Sequence, residues 1–425
     1  MSDAFDLVVV GAGPGGLAAA ATAAESGLRV CLVDDNPAAG GQIWRTRLAD
    51  GPAKAAARWL RRIEIAHVEV RFGWRAVVSP APGILRVEQS GQFADLEYAA
   101  LVLATGAREL FLPFPGWTLP GVYGAGGLQA FVKSGFSVRG KRVVIAGTGP
   151  LLPAVAAHLR SAGARIVSVV EQAPMRRLLQ FSASLLGRQA GKLFEGAAYA
   201  LRLAGIPYRT GAWVMGAQGD ERLEKVTILS GLNVLELDAD MLALGYHLVP
   251  NTELAQLLSC ELDRGYVRVD ELQQTSVKGI YCIGESTGIG GVDKTQIEGR
   301  IAGLAVARKP DQARTLVGAR DRQMRFVRNL ADAFALRDEL RHSPDADTLV
   351  CRCEDVSYRE LAECGSWREA KLHTRCGMGP CQGRICGAAS EFIFGWKAPA
   401  PRPPLFPVEV ATLAGAAESA PVRSD

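Results

Sequence analysis

Two groups of cysteines near the end of the chain are the residues best suited to chemistry. The first is Cys351-Arg352-Cys353, and the second is the run Cys376-Gly377-Met378-Gly379-Pro380-Cys381-Gln382-Gly383-Arg384-Ile385-Cys386. The chain has nine cysteines, and five of them lie in these two groups. Thiolates hold iron–sulfur clusters, and a [2Fe–2S] cluster needs four of them to converge on one small site. The crowding therefore predicts a metal centre rather than packing.

The residues around these cysteines suit a negatively charged cluster. Glycines give loops with little side-chain bulk, and arginines bring positive charge and N–H donors; the residues are Gly377, Gly379, Gly383, Gly387, Arg352, Arg375 and Arg384. Such neighbours stabilise a cluster and tune its reduction potential. Structural zinc is the closest alternative, because zinc also takes four cysteines. Zinc sites usually have a C-x2-C spacing, however, and the pairs here are C-x-C and C-x4-C.

The composition describes a globular, turn-rich α/β protein, with 425 residues, 48% of them hydrophobic, and 47 glycines. A net charge of +4 is too small to indicate nucleic acid or an anionic membrane as a partner. The N-terminus lacks the basic region of an export signal, and no apolar run is long enough to span a membrane. We therefore expect a cytoplasmic protein, with Cys31, Cys260 and Cys282 as buried thiols in apolar runs.

A nucleotide-binding pattern opens the chain. The apolar run that ends at Val10 leads into Gly11-Ala12-Gly13-Pro14-Gly15-Gly16 and an alanine-rich, helix-forming segment. Gly11 permits the tight turn, Gly13 lets the backbone approach a pyrophosphate, and Gly16 allows close packing of helix and strand. A second apolar run ends in Asp34, 18 residues after Gly16, where a carboxylate can bind ribose hydroxyls. This order predicts a dinucleotide-binding fold.

Three later segments resemble the flavoproteins that have two dinucleotide-binding domains of the glutathione-reductase type. They are Gly40-Gly41-Gln42, Ala104-Thr105-Gly106 and the run from Thr275 to Gly284-Glu285. The resemblance implies FAD as the cofactor, with Gly41 and Gln42 near the flavin and with Thr105, Gly106, Gly284 and Glu285 in the FAD domain. In that family the final acid meets the ribityl chain, and it is usually Asp where this chain has Glu285.

A second candidate nucleotide fold begins at Lys141. Its apolar run continues into Gly147-Thr148-Gly149-Pro150-Leu151-Leu152, and a later run ends in Glu171. Leu152 stands at the third glycine position, where its bulk hinders close packing and the phosphate approach. We therefore expect no NAD here, and interpret the domain as one kept for packing and for a partner surface. Glu171 would select against a 2′-phosphate if a nucleotide bound.

An FAD fold joined to Cys-x-Cys and Gly-Met-Gly-x-Cys-Gln-Gly-Arg-x-Cys resembles the large flavoprotein subunits of a group of heteromeric enzymes. These are opine oxidases, D-hydroxyproline dehydrogenases, cyanide-forming glycine dehydrogenases and dye-linked proline dehydrogenases. The cysteine segment resembles bacterioferritin-associated ferredoxin. The resemblance implies that Cys351, Cys353, Cys381 and Cys386 hold a [2Fe–2S] cluster. Cys376 is then either a spare thiol beside the cluster or a replacement for Cys386.

The predicted fold class is α/β, with two Rossmann-like domains of the glutathione-reductase type and a small C-terminal [2Fe–2S] domain. We expect the FAD domain at 1–115 and 245–328 and the second Rossmann-like domain at 116–244. A polar linker at 329–348 leads to the cluster domain at 349–395, and prolines make 396–425 an extended tail.

The same resemblance implies that C–N bond oxidation takes place on a separate, D-amino-acid-oxidase-like β subunit, so this chain supplies no catalytic residue. It relays electrons to a quinone or another acceptor, which would bring it to the inner face of the membrane if the acceptor lies there. The family also includes a small ferredoxin-like γ subunit, with an FMN at the subunit interface. Two other functions stay open: a self-contained NAD(P)H-dependent flavin and iron–sulfur reductase, and a non-enzymatic scaffold.

Overall fold

The computed structural model describes residues 3–46, 51–186 and 190–415. The chain divides into two compact units. The first unit comprises the described residues of 1–108, 250–327 and 399–425, and the second unit comprises those of 109–249 and 328–398. The cysteine region therefore belongs to the same unit as the second glycine motif, and the proline-rich tail belongs with the first motif. The five-part division expected from the sequence stays a prediction.

The strands of the described residues are, in chain order, β1 (Asp3–Val10), β2 (Val30–Asp34), β3 (Glu69–Phe72), β4 (Arg75–Ala81), β5 (Ile84–Gln89), β6 (Gln92–Leu103), β7 (Ala107–Glu109), β8 (Val122–Gly124), β9 (Arg142–Gly147), β10 (Arg165–Glu171), β11 (Tyr208–Thr210), β12 (Ala212–Gln218), β13 (Lys225–Ser230), β14 (Asn233–Asp238), β15 (Met241–Gly245), β16 (Leu248–Pro250), β17 (Leu262–Asp263), β18 (Tyr266–Val267), β19 (Ile280–Cys282), β20 (Leu349–Cys351) and β21 (Val356–Ser357).

The helices are α1 (Pro14–Ala24), α2 (Lys54–Ile65), α3 (Ala125–Lys133), α4 (Leu151–Ser161), α5 (Met175–Ser184), α6 (Ala190–Arg202), α7 (Glu253–Leu257), α8 (Gly291–Val306), α9 (Pro310–Ala333), α10 (Tyr358–Ala362), α11 (Trp367–Thr374), α12 (Cys386–Phe394) and α13 (Val410–Ala414). Short 3₁₀ helices lie at Gly284–Thr287 and Asp338–His342. Among the helices so defined, none is both long and apolar enough to cross a membrane.

The first unit is built on a mixed sheet of order β3-β2-β1-β6-β5-β4, with β19 also paired to β6. β1 runs parallel to β2 and β6, whereas β4, β5 and the first half of β6 pair antiparallel. The apolar run of β1 is buried on both faces, with Leu7, Val8 and Val9 fully inaccessible. Continuous apolar runs are typical of parallel strands covered on both sides, and the apolar run that ends at Val10 is such a strand.

Small residues allow α1 and α8 to pack closely in the first unit. A Cβ added at Gly299 would lie 2.3 Å from the carbonyl oxygen of Gly15, and one at Gly303 would lie 2.8 Å from that of Ala19. The facing side of α1 is largely alanine, and its alanines from Ala18 to Ala23 are buried. This contact holds the N-terminus of α1 in place directly behind the first glycine motif.

The second unit contains a parallel sheet of order β11-β10-β9-β15-β8 and an antiparallel sheet of order β12-β13-β14. The cysteine region is part of this unit and packs against its apolar core. The indole N–H of Trp117 donates to the carbonyl oxygen of Leu349 at 2.6 Å, and Ile385 and Phe392 pack against the apolar cluster around β12 and β13. The α/β class with two Rossmann-like sheets, predicted from the glycine motifs, is confirmed. The separate [2Fe–2S] domain stays a prediction.

Candidate cofactor sites and cysteine cluster

The first glycine motif lies between β1 and α1, and its three glycines have different surroundings. A Cβ at Gly16 would stand 1.7 Å from the carbonyl oxygen of Gly11, and one at Gly11 would stand 2.3 Å from that of Ala104. At Gly13 a Cβ would meet nothing within 4 Å. Gly11 and Gly16 are therefore needed for packing, while the open space at Gly13 fits the approach of a pyrophosphate to the N-terminus of α1.

Asp34 and Gly41 flank this motif. Asp34 is buried at the end of β2, and its carboxylate accepts the backbone N–H of Ala12 at 2.5 Å and that of Asn36 at 2.8 Å. Gly41 has a φ of +57°, and its added Cβ would lie 3.2 Å from Cα of Gly13. Gln42 is exposed beside it. The structure thus brings Asp34 and Gly41 to the glycine loop, as expected for a bound dinucleotide.

Thr105 and Gly106 are held by residues that the sequence patterns did not single out. The Thr105 hydroxyl donates to the carbonyl oxygen of Asn251 at 2.6 Å and lies 3.0 Å from the Ser286 hydroxyl. The Asn251 side-chain amide returns a hydrogen bond to the Thr105 carbonyl at 2.9 Å, and Ser286 donates to the Gly106 carbonyl at 3.1 Å. Three segments far apart in sequence meet here, so no local pattern could have indicated it.

Gly284 and Glu285 lie in the 3₁₀ turn before α8. The Glu285 carboxylate accepts the backbone N–H groups of Gly290 and Gly291, each at 2.9 Å, and burial raises the pKa of Glu285. The Gly284 N–H donates to Glu298 at 2.8 Å. Glu285 therefore faces the start of α8. Its contact with a ribityl chain, implied by the family resemblance, stays a prediction.

A buried ion pair, missed from the sequence, braces this turn. The Lys294 ammonium donates to the carbonyl oxygens of Gly284 at 2.7 Å and Gly288 at 2.8 Å, and to the Glu298 carboxylate at 3.0 Å. Lys294 and Glu298 are 0% and 2% exposed. Their spacing of four residues on α8 was the only available signal, and that spacing is common on solvated helix faces.

Replacing Gly13 and Gly16 by alanine should separate cofactor binding from folding. Gly13 has the ordinary extended φ of −73°, so Gly13→Ala should change the free energy of unfolding by no more than about 1 kcal/mol. Its methyl group would stand where the pyrophosphate approaches, and we expect flavin retention to fall at least tenfold. Gly16→Ala should instead unfold the first unit. Flavin content and thermal melting measure both effects, and full flavin retention by Gly13→Ala would contradict the assignment.

The second glycine motif has its acid turned inward. The Glu171 carboxylate, at the end of β10, accepts the hydroxyl of Thr148 at 2.8 Å and the backbone N–H groups of Gly149 at 2.7 Å and Ala173 at 2.8 Å. Glu171 is 0% exposed. Burial raises the pKa of Glu171 to about 7, against the effect of these hydrogen bonds. The Leu152 side chain, at the third glycine position, is fully buried in the core of this unit.

Because the pKa of Glu171 is raised to about 7, the ionised carboxylate destabilises the folded state. The stabilisation by the protonated form is complete below the unfolded pKa near 4.5 and is lost as the pH rises through 7. We expect the effect of Glu171→Gln on the free energy of unfolding, relative to the unsubstituted chain, to be more stabilising at pH 8 than at pH 5. The difference between the two pH values should be up to roughly 3 kcal/mol. Denaturant unfolding at the two pH values tests this, and a pH-independent difference would contradict it.

The cysteine groups meet in the second unit. The Sγ atoms of Cys351, Cys376 and Cys386 lie within 4.8 Å of one another, and all three residues are buried. The Sγ atoms of Cys353 and Cys381 are 3.9 Å apart, and the Cys386 thiol lowers the pKa of Cys381. All five predicted neighbours are thus brought together, including Cys376, which the sequence left as a spare or a replacement. Cys364 donates to the Glu360 carbonyl at 3.5 Å instead.

Hydrogen bonding among the thiols favours partial deprotonation. Hydrogen bonds from Cys376 and Cys386 lower the pKa of Cys351 to about 2, and one from Cys386 lowers that of Cys381 to about 5. The same contacts raise the pKa of Cys376 to about 12 and raise that of Cys386. Backbone N–H groups add to this, from Glu354 and Gly377 to Cys351 and from Gly383 and Ile385 to Cys381. Thiolates with N–H donors are suitable ligands for iron–sulfur clusters or zinc.

Glycines are needed where the cysteine loops contact each other and the Trp367 ring closely. A Cβ at Gly379 would lie 2.3 Å from Cβ of Cys353. Cβ atoms at Gly377 and Gly383, both with positive φ, would lie 2.6 and 3.1 Å from the ring of Trp367, which is buried beneath the loops. The glycines predicted to have little side-chain bulk therefore let the loops pack against the Trp367 ring and bring the sulfur atoms close together. A four-thiolate metal centre fits the donors present.

The fold and these sites define a flavoprotein class with two dinucleotide folds. The family model described as pyridine nucleotide-disulphide oxidoreductase matches residues 5–333. The chain belongs to this family, whose members bind FAD and catalyse oxidation and reduction. The family thus agrees with the FAD site predicted at the first glycine motif. The cysteine region lies beyond the matched residues.

Several relatives are similar over most of the chain. Hydrogen cyanide synthase subunit HcnB of Pseudomonas aeruginosa is 34% identical over 89% of this chain and 90% of its own length. An opine oxidase subunit of Rhizobium meliloti is 32% identical over 90% of each. Among solved structures, L-proline dehydrogenase from P. horikoshii matches with a TM-score of 0.67 at 19% identity, covering 96% of this chain and 79% of that chain. The last likeness supports the fold alone.

Proposed function

We propose that this chain is the FAD- and [2Fe–2S]-containing α subunit of a heteromeric amino-acid or opine dehydrogenase. A partner flavoprotein subunit of the D-amino-acid-oxidase type oxidises the C–N bond, and this chain passes the electrons to a quinone or another acceptor. The observation that carries the proposal is the convergence of five cysteine thiols in a chain with a flavoprotein fold. When bound, a flavin exchanges two electrons and an iron–sulfur cluster one, so the pair can couple a two-electron oxidation to a one-electron carrier.

The proposal assigns the cofactors to two separate parts of the chain. Gly11, Gly13 and Gly16, with Asp34, bind the dinucleotide at the N-terminus of α1, where Gly13 leaves room for it. Further FAD contacts come from Gly41, Gln42, Thr105, Gly106, Gly284 and Glu285. Cys351, Cys353, Cys381 and Cys386 hold the cluster. The second glycine motif binds no NAD, because Leu152 stands at its third glycine position and its acid, Glu171, is fully buried.

The relatives support a heteromeric assembly, since two of them are named as subunits of hydrogen cyanide synthase and opine oxidase. The proposed partners are the β subunit that oxidises the substrate and a small ferredoxin-like γ subunit, with FMN as a further cofactor at the subunit interface. We place the assembly in the cytoplasm, at the inner face of the membrane if the acceptor is a quinone. The substrate class is an opine, proline, hydroxyproline or glycine.

Isolating the chain with and without its partner tests the division of labour. Alone, it should contain flavin and iron but fail to oxidise proline, hydroxyproline, opines or glycine with an artificial dye. Co-purification with a D-amino-acid-oxidase-like subunit should restore dye reduction. In that complex, Cys386→Ala should slow dye reduction at least tenfold while substrate still reduces the partner's flavin, and Cys364→Ala, outside the thiol group, should match the unsubstituted complex. Turnover by the isolated chain would overturn the proposal.

An NAD(P)H-dependent reductase is the alternative function. It predicts that anaerobic NADH or NADPH bleaches the flavin of the isolated chain within the mixing time. A persistent oxidised flavin would favour the heteromeric dehydrogenase. A flavin that neither nicotinamide nor the substrate-loaded partner reduces would favour the non-enzymatic scaffold.

A further inference from the structure

The crevice of the second Rossmann-like sheet contains part of this chain. In open α/β sheets, ligands bind outside the carboxyl ends of the parallel strands. In the second unit, three adjacent strands, β10, β9 and β15, are followed at their carboxyl ends by Gln172, Thr148 and His247 respectively. Each of these residues hydrogen-bonds to the connector Phe334–Arg337, which follows α9. The connector therefore lies across the position that a nucleotide occupies in such a sheet.

Phe334 lies over the glycine motif itself. Its carbonyl oxygen is 3.1 Å from Nε2 of His247 and accepts the Thr148 hydroxyl at 3.4 Å. Its ring is 4.0 Å from the position of a Cβ on Gly149, and it packs edge-on against Phe181 with 5.3 Å between ring centroids. Phe334 is only 6% exposed. An apolar ring thus covers the loop that would have to approach a pyrophosphate.

The rest of the connector is held by backbone and side-chain contacts. The Gln172 amide donates to the carbonyl oxygen of Ala335 at 3.1 Å, and its oxygen accepts the backbone N–H of Arg337 at 3.2 Å. The Arg337 guanidinium lies 3.8 Å from the centroid of the Trp213 ring. Gln172 is 1% exposed, so both of its polar atoms serve this contact away from water. Leu336 of the connector packs against the apolar core of the unit, and Leu340, which follows the connector, is part of that core.

The Gly149 N–H and the Glu171 carboxylate, which would recognise a dinucleotide, already hydrogen-bond to groups of this unit. The Gly149 N–H, which would face a phosphate, donates to Glu171 at 2.7 Å. The Glu171 carboxylate, which would bind an adenosine ribose, is fully buried and accepts three hydrogen bonds from within the unit. Entry of a nucleotide would require Phe334 to leave and would break the two hydrogen bonds of Gln172 to Ala335 and Arg337.

We propose that Phe334–Arg337 acts as a built-in occupant of the second nucleotide crevice and excludes NAD(H), NADP(H) and other ADP-containing ligands from it. The sequence attributed the loss of binding to Leu152, whereas the contacts assign it mainly to a segment more than 180 residues further along the chain. The inference does not depend on the proposed function, because the same occlusion would hold in a dehydrogenase subunit or in a scaffold.

Binding of NADH and NADPH to the flavin-loaded full chain tests the occlusion, measured anaerobically by equilibrium dialysis. The unsubstituted chain should show no saturable binding up to about 1 mM, the range of very weak affinity. Phe334→Ala removes the ring from Gly149 and should bind NADH at least tenfold more tightly. Gln172→Leu removes two hydrogen bonds to the connector but keeps the ring, and should show a smaller increase.

The matched control is Phe136→Ala, an exposed phenylalanine of the same unit whose ring packs against Tyr123 and Phe131. It should bind no better than the unsubstituted chain. Saturable binding by the unsubstituted chain at micromolar NADH would overturn the proposal. So would equal absence of binding by all the variants, since the crevice would then be closed without the connector. If Phe334→Ala does not fold, Gln172→Leu decides alone, with amide exchange of residues 334–337 reporting release of the connector.

Discussion

Replacing Cys386 by alanine should abolish the bound iron and the part of the visible absorption that belongs to the cluster. Cys386 is the thiol with the most sulfur neighbours, because its pKa is raised by interactions with the thiols of Cys351, Cys376 and Cys381. Its removal takes away one of the four proposed ligands. It also removes the thiol that links Cys351 and Cys376 to the pair formed by Cys353 and Cys381. Iron content, visible absorption and electron paramagnetic resonance after reduction measure the loss, which should exceed tenfold.

Cys364→Ala is the matched control, since Cys364 lies in the same region but its thiol donates a hydrogen bond to a backbone carbonyl oxygen. It should retain the iron. Zinc in place of iron in the freshly purified chain, with no visible absorption beyond that of the flavin, would contradict the iron–sulfur assignment and favour structural zinc.

Cys376→Ala tests which four of the five thiols are ligands. The family resemblance predicts that the cluster survives this change. Cys376 is nevertheless buried with its Sγ within 4.8 Å of those of Cys351 and Cys386, so its sulfur lies inside the group. Retention of absorption would leave Cys351, Cys353, Cys381 and Cys386 as the ligands. If the absorption is lost in Cys376→Ala but retained in Cys353→Ala, the fourth ligand is Cys376 and not the exposed Cys353.

Lys294→Ala should destabilise the first unit by about 3–5 kcal/mol, since it leaves the buried Glu298 without its partner. The lysine also bridges two carbonyl oxygens of the turn that contains Gly284 and Glu285. We therefore expect flavin retention to fall together with stability. Denaturant unfolding monitored by circular dichroism, with flavin release followed in parallel, measures both effects.

Two comparisons make the result specific. Arg268→Ala removes an exposed ion pair with Glu261 and should cost no more than about 1 kcal/mol. Lys294→Met combined with Glu298→Gln removes both charges and should recover a substantial part of the loss, because no unpaired charge then remains buried. Equal destabilisation by Lys294→Ala and Arg268→Ala would show that the buried pair does not brace the turn.

Local sequence rules were sufficient for the parts of the fold that depend on neighbouring residues. The apolar run before Gly11 and the small residues of α1 predicted the first strand, turn and helix, since burial on both faces and close packing restrict the residue types. The α/β class followed from repeating that pattern at Gly147. The contacts of Asn251 and Ser286 with Thr105 were not predictable in this way, because they join segments more than 140 residues apart.

The residue types by themselves determined which chemistry this protein can do: glycines that admit a dinucleotide, and thiols that can hold a metal centre. Only the tertiary structure decided which groups meet. It buried Cys376 among the other thiols, turned Glu285 and Glu171 toward backbone N–H groups, and laid Phe334 over the second glycine motif. Those outcomes depend on how distant strands and connectors pack, and burial and hydrogen bonding between them leave no periodic trace in the local sequence.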